Sequence, residues 1–155
     1  MRTRVLLLLF TLAASASPAL AQKAALETEA VKQTITAFFD GMRRGDSTLV
    51  RRTLAPGAVF HGLGGRPGQP VTLQTESING FLKAVGTPHA AVWDERVQFE
   101  RVLIDANLAS VWAPYEFYLG PKFSHCGYDS FQLVKLAEGW KIAHIIDTRR
   151  QEQCK

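Results

Sequence analysis

The 155-residue sequence predicts an α+β fold, with N-terminal helices packed on a curved, mostly antiparallel sheet. Two observations carry this expectation. Apolar residues recur at helical spacing as far as Val85, and from Val92 onward the period becomes that of strands. Turn-forming residues at 105–107, 120–122 and 138–139 then cut the second half into four long runs, the pattern of an antiparallel meander.

Met1-Arg2-Thr3-Arg4 places two positive charges before a leucine-rich run, Val5 to Ala14, and Ala19-Leu20-Ala21 closes the segment. A basic start, a short apolar stretch and an Ala-x-Ala end are what a signal peptidase reads. An uncleaved anchor is the competing reading, but a spanning helix needs about 20 apolar residues. Residues 1–21 are therefore expected to be a signal peptide, with cleavage before Gln22. Residues 22–155 are expected to form one domain, periplasmic or extracellular in a bacterium, with no membrane contact after cleavage. The 134 residues left suffice for one hydrophobic core.

Without Arg2 and Arg4, Lys+Arg falls from 18 to 16 against 14 Asp+Glu. Acidic residues separate the Arg pairs 43–44, 51–52 and 149–150, so the concentrated basic footprint of a nucleic-acid binder is missing. The two cysteines, Cys126 and Cys154, are an even count in a chain bound for an oxidising compartment, which favours a disulfide. No Cys-x-x-Cys or His-x-x-x-His spacing occurs, so no metal is implied, and no cofactor motif is present.

Val31, Ile35, Phe38, Phe39 and Met42 form one apolar stripe, which predicts a helix from about Ala25 to Arg44. Arg43 and Arg44 suit the negative end of its dipole, and Gly45 suits its stop. Asp46 or Ser47 can cap a short helix carrying Leu49, Val50 and Leu54, ended by Pro56-Gly57. Ala58 to His61 reads as a short strand and 62–70 as a polar loop. Thr75 or Ser77 can cap a third helix with Ile78, Phe81, Leu82 and Val85, closed by Gly86 and Pro88. The runs 92–104, 108–119, 123–136 and 140–149 are the four strands.

This order of elements resembles the nuclear-transport-factor-two-like superfamily, which includes ketosteroid isomerases, scytalone dehydratase and polyketide cyclases. The stretches Val111-Trp112-Ala113-Pro114-Tyr115-Glu116-Phe117, Phe123-Ser124-His125-Cys126-Gly127 and Ser130-Phe131-Gln132-Leu133 are similar to one of its branches. So are Gly139-Trp140-Lys141-Ile142 and Asp147-Thr148-Arg149-Arg150. That branch holds small exported bacterial proteins labelled "putative lumazine-binding". The resemblance implies a cone-shaped cup and supports a homodimer. It transfers no catalytic residue, because the catalytic positions of related cups do not map onto this chain.

Strand register sorts the side chains by face. If Glu138-Gly139 is the hairpin loop, Phe131 lies beside Ile146, Leu133 beside His144 and Asp129 beside Thr148. Across the preceding turn, Leu119 pairs with Phe123, Phe117 with His125, Tyr115 with Gly127 and Ala113 with Asp129. The mostly apolar face so defined is taken as concave. On it, Tyr115, His125, Asp129 and His144 are the ligand-pocket candidates, polar groups among apolar walls with space left at Ala109, Ala113 and Gly127. Each has a purely structural alternative as a hydrogen-bonded core residue. Arg101 falls on the concave face if the 105–107 turn has three residues and is expected to face solvent after a one-residue slip. His61 sits at a loop edge within reach of the cup mouth, and Asp147 with Arg149 reads as an outer-face ion pair. Trp112, Tyr118, Tyr128 and Ile145 mix apolar bulk with nearby charge on the other face and are the dimer-face candidates.

Three functions are compatible with this pattern. The first is an exported small-molecule-binding protein with an unidentified ligand. The second is a metal-free lyase or isomerase using His125 with Asp129 or Tyr115 as general base and acid. The third is a homodimeric interaction module. Cys126 is expected opposite Gln151, so the tail after Arg150 must bend back for Cys154 to reach it.

Overall fold

The computed structural model describes residues 18–64 and 70–154. Most of the expected signal peptide and half of the expected 62–70 loop lie outside these residues. Helix α1 (Pro18–Arg44) starts earlier than the apolar stripe foretold, because its first turns are exposed and carry no burial pattern. Where the stripe begins, Val31, Ile35, Phe38, Phe39 and Met42 are all buried. Gly45 ends the helix at φ 68°, a left-handed conformation that favours glycine. Asp46 caps α2 (Ser47–Thr53) by accepting the Leu49 N–H at 2.9 Å. Ser77 caps α3 (Ile78–Gly86) by accepting the Gly80 N–H at 3.2 Å.

Seven strands form one sheet: β1 (Leu54–Gly64), β2 (Thr72–Glu76), β3 (Trp93–Val97), β4 (Arg101–Asp105), β5 (Leu108–Leu119), β6 (Lys122–Leu136) and β7 (Gly139–Thr148). Their order is β2-β1-β7-β6-β5-β3, with β4 also on β5, and the β1–β7 pair is parallel while the others are antiparallel. The three helices pack on this sheet around Phe131, Leu133, Ile142 and Val111. This is an α+β fold.

Three differences from the sequence reading have physical causes. β2 was not foreseen, since it falls between the expected 62–70 loop and the third helix; all five of its residues are exposed, so it lacks the alternating burial that betrays a strand. The 92–104 run is two strands, both paired to β5, which β3 meets at 115–119 and β4 at 108–112. Between them the Gln98 N–H bonds Pro114 O and the Glu100 N–H bonds Trp112 O, so the chain stays extended without a regular ladder.

The third difference concerns register. β5 and β6 pair as expected at Phe117–His125, Tyr115–Gly127 and Ala113–Asp129, but at the turn Leu119 meets Lys122 rather than Phe123. Between β6 and β7 the loop is Ala137-Glu138, with Leu136 opposite Gly139. Leu133 then pairs with Ile142 and Gln132 with His144, which leaves Ala143 unpaired as a bulge. Beyond it the inward–outward alternation reverses. Phe131 pairs with Ile145 and Asp129 with Asp147. Ile145 is therefore a core residue, 8% exposed, and not part of the outer face as expected.

The tail behaves as the cysteines require, one residue out of the expected register. Cys126 bridges to Arg150 rather than Gln151, the chain turns at Gln153 with φ 54°, and Cys154 closes a disulfide on Cys126 across a Cα–Cα distance of 5.8 Å. No helix among the described residues is long and apolar enough to cross a membrane.

Candidate functional site

The concave side of the sheet and helices α1 and α3 enclose a chamber of about 80 Å³. It opens into a vestibule of about 520 Å³, and Met42, Phe81, Glu95, His125 and Arg149 border both spaces. The vestibule adds Trp93, Phe117, Leu119 and Ala84, an apolar ring. The chamber is different: Phe38, Phe60 and Ile145 face Tyr115, Asp129, Asp147 and Glu95. A void of the chamber's size holds a few waters or one small polar group, while the vestibule matches the usual range of ligand pockets, about 300–1,000 Å³.

Each polar group is positioned by its strand. Arg43 on α1 donates to Asp94 at 2.7 Å, which ties β3 to the helix and turns the neighbouring Glu95 to the chamber. Tyr115 on β5 donates its hydroxyl to Thr148 O at 2.9 Å and to Asp147 Oδ2 at 3.3 Å. Its ring can lie there because residue 127 is glycine; a Cβ at Gly127 would overlap the Thr148 carbonyl and press on the Tyr115 ring. On β7 the bulge brings Asp147 inward, and Arg149 Nε donates to its Oδ2 at 2.8 Å. Arg149 Nη2 is also 3.9 Å from Glu76 Oε1.

Asp129 is 3% exposed, and its Oδ2 is sealed from solvent with no N–H or O–H of the described residues reaching it. Its interacting neighbour is the Glu95 carboxyl. Two carboxyls can be joined only through a shared proton. Burial, then the negative charges of Glu95 and Asp147, push Asp129 well above the usual carboxylate range. Burial likewise pushes Glu95 up to about 8, against the lowering effect of its hydrogen bond with Asp129. The pair thus keeps a proton at neutral pH, and it titrates as a unit.

The surroundings are held in defined states. Burial, then the charge of Asp147, raises the Tyr115 phenol, so it stays a donor. Burial and then Arg149 lower the pKa of His125, which keeps its ring neutral; Ser124 Oγ lies 3.0 Å from Nδ1. Burial opposes the Arg149 charge, but the hydrogen bond and attraction of Asp147 outweigh it and raise the pKa.

Tyr115, His125 and Asp129 therefore line one chamber. His144 does not; its Nε2 lies 2.8 Å from His61 Nδ1, and burial, then the neighbouring His61, lowers its pKa. The expectation for His144 fails because the bulge at Ala143 falls just before it. His61, expected at a loop edge within reach of the cup mouth, borders the chamber. Sequence reasoning missed Glu95, and it placed Asp147 and Arg149 on the outer face. The only signal for Glu95 was its place in an alternating run, Trp93-Asp94-Glu95-Arg96-Val97, whose face could not be fixed without the β3–β5 register. Among the described residues, no three His, Cys, Asp or Glu side chains converge to hold a metal ion.

Comparison with known proteins adds the family and the fold. The family model described as "Putative lumazine-binding" matches residues 26–145. No curated protein matches the chain. Among solved structures, an NTF2-like protein of unknown function from Shewanella baltica is 18% identical, with 83% of this chain and 97% of that one covered at a TM-score of 0.64. An NTF2-like protein with a cystatin-like fold from Novosphingobium aromaticivorans is 9% identical, with 91% and 94% covered at 0.69. A ketosteroid isomerase-like protein from Erwinia carotovora is 18% identical, with 79% and 95% covered at 0.57. Likeness at these identities shows a shared fold.

Proposed function

The chain belongs to the family described as "Putative lumazine-binding", within the nuclear-transport-factor-two-like superfamily, and from that premise we propose that it binds a small molecule in its cup. The observation that carries the reading is Asp129. Its Oδ2 is buried without a partner among the described residues, and a buried polar atom left unpaired costs about 1–3 kcal/mol, which a ligand hydrogen bond would recover. The apolar vestibule above it would take the body of the ligand. The test is native mass spectrometry of the protein purified from its own host. A small molecule should co-purify and be lost in Ala84→Trp, which sets an indole into the vestibule wall. Retention of the molecule by a folded Ala84→Trp variant would overturn the reading.

A second reading, a metal-free lyase or isomerase, is favoured by one observation. The Glu95–Asp129 pair keeps a proton near neutrality beside an open space, as a general acid or base must. If turnover occurs, Asp129→Asn should abolish it while leaving binding measurable.

Export belongs to the same proposal. The charge pattern and Ala-x-Ala end of residues 1–21 support it, and so does the Cys126–Cys154 disulfide, a bond that persists in oxidising compartments. A homodimer through the outer face of β4 and β5 is also proposed. Trp112, 44% exposed, stacks on Tyr128 at 5.0 Å between ring centroids, and the exposed Leu103 and Leu108 extend the apolar surface; Tyr118 lies on the same side of β5. Ile145 drops out of that face.

A further inference from the structure

We infer that the cup selects an organic cation, an amine or amidine nitrogen on an apolar body, with the charged nitrogen seated against Asp129 and Glu95. This rests on the small-molecule reading above and names the class of ligand.

The first argument is an inventory of donors and acceptors. The chamber wall carries four carboxyls, Glu76, Glu95, Asp129 and Asp147, against one guanidinium, Arg149. Even with one proton shared between Glu95 and Asp129, the wall stays negative. Several of the donors are engaged. Tyr115 gives its hydroxyl to Thr148 O and Asp147, and Arg149 is paired with Asp147 and faces Glu76. His125 Nδ1 is engaged with Ser124. What the wall offers an incoming molecule is therefore a surplus of carboxyl oxygens, with Asp129 Oδ2 unpaired. A ligand rich in N–H donors meets that surplus. A carboxylate or phosphate would meet like charge in a site of low dielectric, where repulsion is strongest.

The second argument is the aromatic wall. Phe38, Phe60 and Phe81 pack against one another at the chamber, with centroids 5.3–5.8 Å apart, and Trp93 and Phe117 border the vestibule. Aromatic faces attract a desolvated cation and repel an anion. The same groups that would bury an apolar body thus also favour its positive end.

The experiment uses three probes of matched shape on the full mature chain: 4-phenylbutylamine, 4-phenylbutan-1-ol and 4-phenylbutyrate. Calorimetric titration at pH 7.5 should rank amine over alcohol over carboxylate, with the amine about tenfold or more tighter than the alcohol. In Asp129→Asn the amine's advantage should vanish while the alcohol's affinity stays. Glu95→Gln, half-buried and easier to accommodate, should reduce the same advantage and serves if Asp129→Asn does not fold. Alcohol or carboxylate binding as tight as the amine would overturn the cation class and leave the cup reading standing. Amine binding that persists in folded Ala84→Trp would overturn the cup reading. Failure of all three probes to bind would overturn the inference.

Discussion

Glu95 and Asp129 set the behaviour of the protein with pH. Glu95 is an acid whose folded value, about 8, exceeds the ordinary 4.5, so the folded state holds a proton that the unfolded state releases. Its stabilising contribution is complete below about pH 4.5 and is lost as pH rises through about 8. The melting temperature should therefore fall between pH 5 and pH 9, and Glu95→Gln should flatten that fall. His125 works in the opposite sense, since its lowered value gives stability that is lost as pH falls. A melting temperature that climbs steadily from pH 5 to pH 9 would contradict the account of Glu95. Tyr115 offers a second test. Tyr115→Phe keeps the ring against Gly127 but removes the donor to Thr148 O and Asp147, which should cost about 1–3 kcal/mol in urea denaturation.

Among the elements, β7 decides the site, and its bulge separates what the sequence revealed from what it hid. Helices α1 and α3 were legible because stripe, caps and stop signals agree, and Phe117–His125 through Ala113–Asp129 came out as expected because the unpaired Ser124 offsets a turn one residue shorter than the sequence reading assumed. Tyr115, His125 and Asp129 were therefore found on one face. An unpaired residue leaves no mark in composition or period, so Ile145, Asp147 and Arg149 were assigned to the wrong side. Stability measures this directly. Ile145→Ala should cost about 2–4 kcal/mol, as for a core aliphatic residue, whereas an outer-face position would change by about 0.5 or less. Cys154→Ala should remove about 3–4 kcal/mol by opening the 28-residue closure, and a reductant should lower the melting temperature of the parent but not of the variant.

At the scale of the whole molecule, the fold divides labour between two sides of one sheet. The concave side spends its apolar surface on α1 and α3 and keeps a remnant open as the cup. The convex side leaves Leu103, Leu108 and Trp112 exposed. Sedimentation at tens of micromolar should give a dimer, and Trp112→Glu should give a folded monomer; a monomeric parent would remove the dimer from the proposal. The bulge at Ala143 has a separate consequence for how such a cup diverges. Loss of that one codon would remove the bulge and leave a regular ladder, with Gln132 still opposite His144 and with Ile145 and Asp147 still inward. The length of β7 can therefore change by one codon at this position without turning the chamber residues to the other face. Column-by-column alignment will pair inward with outward residues in any relative lacking the extra position, unless the gap is placed at 143.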